Sequence, residues 1–167
     1  HAPLRAVPAE PLLDALHHVT GVSPRFQGYP QGMRAGEMPG VGLNRRGSRN
    51  NAETQFLEKF GKPERLLTCE CERSTESTLS QAFQLISGPT INDLLTKSDN
   101  RLDRWLSSGQ SSREIVTDVY WTALSRAPTE DELARMTRLL DRTSNKRQAL
   151  EDIVWALVNS KEFVLRQ

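Results

Sequence analysis

A chain of 167 residues with 37% hydrophobic and 26% charged residues can bury a core of its own as one domain, and this composition excludes the disordered class. Twenty-two Lys and Arg against 21 Asp and Glu leave no global field to draw the chain to nucleic acid or to an anionic membrane. Apolar runs such as Ile153 to Val158 fall far short of the roughly 20 residues that cross a bilayer, and two cysteines are too few for a disulfide scaffold.

From Pro8 to Thr20, Leu12, Leu16 and Val19 recur at helical spacing with Leu13 beside them, and Gly21 is the expected stop. Residues 21–47 then hold seven of the ten Gly and three of the nine Pro without a sustained period, so 21–50 is expected to be a long irregular loop. Its Phe26, Tyr29, Met33, Met38 and Val41 favour partial packing onto the core. Ala52 to Phe60 places Phe56, Leu57 and Phe60 on one helical face, closed by Gly61 and Pro63.

Leu79, Ala82, Phe83 and Ile86 predict a helix over about Ser77 to Ser87. Between Pro89 and Ser108, Leu94, Leu95, Leu102, Trp105 and Leu106 predict two short helices broken near Ser98, Asp99 and Asn100. Ser111 with Glu114, and Thr129 with Glu132, each spell a capping box ahead of an apolar-periodic run. With Pro128 between them, these two helices form a hairpin. A last helix is expected over roughly Lys146 to Leu165, carrying Leu150, Ile153, Val154, Leu157 and Val164, and it is expected to be the most buried. No stretch alternates as a sustained strand, so the fold class is all-α, an irregular multi-helix bundle with a Gly/Pro-rich loop near the N-terminus.

The segment Cys69-Glu70-Cys71-Glu72-Arg73 is the most distinctive text. Residues i and i+2 of an extended chain share a face, so the two sulfurs could meet one soft cation, bond to each other after a backbone bend, or lie buried as small hydrophobes. A closed zinc site wants four ligands, and His1, His17 and His18 stand at no metal-site spacing from the thiols, so no metal and no cofactor are expected. His17 and His18 project about 100° apart on a helix and are expected at a surface or interface. Neither a nucleophile elbow nor a zinc-protease motif occurs, and whether the chain is an enzyme stays open. Arg25, Arg34, Arg45 and Arg46 against Glu37 give the loop a local positive excess able to grip a sulfate or carboxylate, or simply to be solvated.

The words Leu12-Leu13-Asp14-Ala15, Val19-Thr20-Gly21, Gly32-Met33-Arg34-Ala35, Phe60-Gly61-Lys62-Pro63 and Cys69-Glu70-Cys71-Glu72-Arg73 continue into Leu79-Ser80-Gln81-Ala82, Ala123-Leu124-Ser125-Arg126 and Trp155-Ala156-Leu157-Val158. Together they resemble a planctomycete-specific family of unknown function found at the C-terminal end of large proteins. The resemblance implies a single helical domain over 1–167 that is the C-terminal part of a larger polypeptide, paired with an upstream domain and often with a cytochrome-c-like or immunoglobulin-like module near the N-terminus. It also implies export, to the periplasm or the cell surface. The family has no assigned active site.

The expected role is therefore a non-catalytic interaction or structural module that packs against the upstream domain, monomeric in isolation and without nucleic-acid binding. The alternative is a ligand-binding or catalytic half-site completed by that domain, with Arg34, Cys69, Cys71, Arg73 and Gln81 lining a candidate pocket.

Overall fold

The computed structural model describes residues 5–38, 52–60 and 88–166. The expected helix over Ser77 to Ser87 lies outside them, as do Cys69, Cys71, Arg73 and Gln81. The described fold is all-α. Helix α1 (Ala9–Thr20) is followed by a 3-10 turn (Ala35–Glu37) and α2 (Ala52–Lys59). Then come α3 (Pro89–Thr96), α4 (Arg101–Ser107), α5 (Ser112–Leu124), α6 (Glu130–Arg142), α7 (Lys146–Val158) and the single turn α8 (Lys161–Val164). The strand content of the described residues is one two-residue antiparallel ladder, β1 (Arg5–Ala6) against β2 (Leu165–Arg166). The Val7 amide extends it to the Val164 carbonyl at 2.9 Å.

The helix boundaries follow from side-chain chemistry. Gly21 ends α1 in the left-handed conformation at φ 67°, its N–H closing on the His17 carbonyl, which is the conformation glycine adopts at least steric cost. Both capping boxes form: the Ser111 and Thr129 hydroxyls accept from the Glu114 and Glu132 amides, and each glutamate reaches back to its cap. Ser125 stops α5 at φ 55°, and Pro128 then precedes the cap of α6.

The last helix is shorter than its apolar period suggests. The Asn159 side chain donates to the Trp155 carbonyl at 2.8 Å and the Ser160 hydroxyl to the Leu157 carbonyl at 2.7 Å, so short polar side chains take over the orphan carbonyls and α7 ends at Val158. Ser160 then caps α8 by accepting from the Phe163 amide.

Burial also ranks the helices differently from expectation. In α1, eight of 12 residues are buried, against six of 13 in α7. Helix α1 is central because α2, α3, α4, α5 and the 3-10 turn all pack on it, whereas α7 covers α3, α4, α5 and α6 from one side. Leu13, Val116, Val119, Leu102, Phe56, Leu57, Leu150 and Val154 are fully buried, and each such side chain contributes about 1.5–3 kcal/mol by leaving water. Phe26 and Met38 of the long connection are buried in the same core, with Tyr29 and Met33 half-buried against it; Val41 lies outside the described residues.

Candidate functional site

Asp14 on α1 accepts the Ala35 amide at 2.6 Å and the Gly36 amide at 3.0 Å, so its carboxylate caps the 3-10 turn across 21 residues of chain. Arg34 stands exposed at the entrance to that turn, its backbone N–H donating to Glu37 Oε2 at 3.1 Å. Of the five residues expected to share a pocket, Arg34 is therefore at the surface and the other four fall outside the described residues.

His17 is buried, contrary to the surface or interface expectation, while His18 is exposed. The buried arc of α1 is wide enough to take Leu13, Leu16, His17 and Thr20 together. His17 Nδ1 lies 2.9 Å from the Val22 carbonyl oxygen, which can only accept, so Nδ1 carries the proton and Nε2 is left as a lone pair. Among the described residues Nε2 has no hydrogen-bond partner, and burial pushes the His17 pKa below its ordinary value, with the Val22 bond opposing in part. The imidazole is thus neutral at neutral pH. Among the described residues no group of three or more His, Cys, Asp or Glu could hold a metal ion.

Two arginine knots dominate the rest. Arg147 on α7 sends its guanidinium to the C-terminal end of α3 and the N-terminal end of α4. It donates to Asp103, to Asn100 Oδ1 at 3.1 Å and to the carbonyls of Leu95 and Lys97, while its Nε meets Glu151 Oε1 at 2.7 Å. Asn100 is buried at the centre: its amide donates to the Leu94 and Leu95 carbonyls and its oxygen accepts the Leu102 and Asp103 amides. One side chain closes α3, opens α4 and receives α7. The sequence places Asn100 at a break, and its capping chemistry is the signal that identifies this role.

Arg126, in the α5–α6 connection, makes two-pronged pairs with both Glu132 at 2.9 and 3.0 Å and Glu162 at 2.6 and 2.8 Å. Its guanidinium also lies 5.4 Å from the Tyr120 ring centroid. The bonds from Arg126 hold the Glu132 carboxyl down to about 2 and lower Glu162 as well. Burial pushes the Tyr120 hydroxyl up.

Against these satisfied groups, Trp121 on α5 is 54% exposed and Leu139 on α6 is 43% exposed. Among the described residues no helix is long and apolar enough to cross a membrane.

The family model described as PSD1, protein of unknown function (DUF1553), matches residues 1–140. No curated protein and no solved structure matches the chain.

Proposed function

The chain belongs to the PSD1 family of proteins of unknown function (DUF1553), and from that premise we propose that it is a non-catalytic docking module of a multidomain protein. Its partner is the upstream domain of the same polypeptide, in an exported planctomycete protein of the periplasm or cell surface that carries a cytochrome-c-like module in some members. The module spans 1–167 as one unit and is monomeric in isolation.

The observation that carries this reading is Trp121. A tryptophan has the most apolar surface to bury of any side chain, yet this one stands more than half exposed on a helix fixed by a capping box at one end and the Arg126 knot beyond the other. Tryptophans displayed on rigid elements are the residues that supply most of the energy when partners dock. The ionic groups of Arg126 and Arg147 support the same reading, because their donors are spent on holding helices together.

The test mixes the chain with its separately produced upstream domain and measures association calorimetrically, for the wild type and for Trp121→Ser. Saturable binding weakened at least tenfold by the substitution is expected, since truncating a central anchor costs about 2 kcal/mol or more. Unchanged affinity in the variant, or no binding by the wild type, would refute docking through α5.

A further inference from the structure

The C-terminal end of α1 carries a second feature that docking does not explain. A methyl group built on Gly21 would lie 2.3 Å from a terminal nitrogen of Arg104, 3.0 Å from Arg101 Cβ and 3.4 Å from Arg101 Nε. Both guanidinium groups of α4 therefore crowd the same glycine turn, and the absence of a side chain at Gly21 is what admits Arg104. Arg101 is held in place from below, its guanidinium carbon 5.9 Å from the Trp105 ring centroid. Arg104 is anchored by one donor, which reaches the Asp99 carbonyl at 3.1 Å.

Among the described residues, no carboxylate forms an ion pair with either arginine. Asp103, beside Arg104 in sequence on the same helix, is already engaged by Arg147 and by the Asp99 amide. The end of α1 offsets part of the positive charge, but a helix C-terminus amounts to roughly half an elementary charge, against two full charges here. Burial and the neighbouring Arg104 both disfavour the charged form of Arg101, as expected of a cation with an uncompensated like charge beside it. Arg104 is exposed and Arg101 half-exposed, so a ligand can reach both guanidinium groups from solvent.

We propose that Arg101 and Arg104, converging over the turn at Gly21, form a binding site for a tetrahedral oxyanion of the phosphate or sulfate class. Two planar forks of N–H donors match an anion with several oxygens, and a dianion neutralises both charges where a single carboxylate neutralises one. The site stands on its own geometry and does not depend on docking through Trp121.

The experiment titrates the whole chain with sodium phosphate and with sodium sulfate at constant ionic strength held by chloride, following heat and Trp emission. A third arm uses phosphoserine, which tells a free ion from a phosphate carried on an ester. Saturable binding with a Kd of about 1 mM or tighter is expected in at least one arm. Arg101→Gln and Arg104→Gln should each weaken it about tenfold or more, while Arg138→Gln on the distant α6 leaves it unchanged. If Arg104→Gln loses its helical circular dichroism, Arg104→Lys carries the test, with an expected loss of about threefold or more because the fork is gone while the charge remains. Heats equal to those of chloride in all three arms, or wild-type affinity in the folded Arg101 and Arg104 variants, overturn the proposal.

Discussion

The two arginine knots use the same residue type to join three segments, and they differ in what would remain if the arginine were lost. Around Arg147 the partners are the carbonyls that end α3, the buried Asn100, Asp103 at 41% exposure, and Glu151, whose side chain is only 13% exposed. Around Arg126 they are Glu132 and Glu162, at 25% and 46% exposure. Water can take over from Arg126, whereas little water reaches Glu151. The first knot thus reaches into the interior through Glu151 and Asn100, while the second is a surface staple, a distinction that distances alone do not reveal, since both sets of bonds are short.

That contrast is open to measurement. Arg147→Ala should show the largest effect, a loss of about 2–4 kcal/mol in denaturant unfolding that changes little with added salt, because it strands the Glu151 carboxylate. Replacing Arg147 and Glu151 together by Met and Leu should recover much of that loss; if the double variant is as unstable as the single one, the stranded charge is not the cause. Asn100→Ala should cost about 1–3 kcal/mol, since the ends of α3 and α4 lose their shared partner. A stability equal to wild type would remove Asn100 from the centre of the knot.

Arg126→Ala should cost about 0.5–1 kcal/mol in dilute buffer and much less in 1 M salt, where the Debye length is roughly 3 Å. A salt-independent loss as large as that of Arg147→Ala would erase the contrast. The smallest effect is a difference in pH dependence. Glu132 and Glu162 have carboxyls lowered in the folded state, so their contribution is present above the ordinary value of 4.5 and disappears as pH falls, toward about 2 for Glu132. Wild type should therefore lose more stability than Arg126→Ala between those limits, and parallel acid curves would contradict it.

The helices were legible because their signals are local. Both capping boxes, the Gly21 stop and the break before Asn100 can each be read within a few residues, and Phe26 and Met38 betray the packing of the 22–38 segment by their bulk. The end of α7 was hidden because the apolar period runs on through Phe163 and Val164, while Asn159 and Ser160 act through local hydrogen bonds that periodicity does not weigh. The burial of His17 is not legible in the sequence, because an imidazole next to His18 looks solvated until five elements are packed around α1. The arginine knots join residues up to 52 apart, and the convergence of Arg101 and Arg104 depends on how α4 crosses the Gly21 turn. Neither is a property of local sequence.

The proposed docking through α5 is tested most directly by hydrogen exchange, comparing the isolated chain with the same residues joined to the proposed upstream domain. Slower exchange is expected in the joined form along α5 around Trp121, with the Asn100 and Arg147 region unchanged because it is already closed. Identical exchange on the Trp121 face in both forms would contradict it.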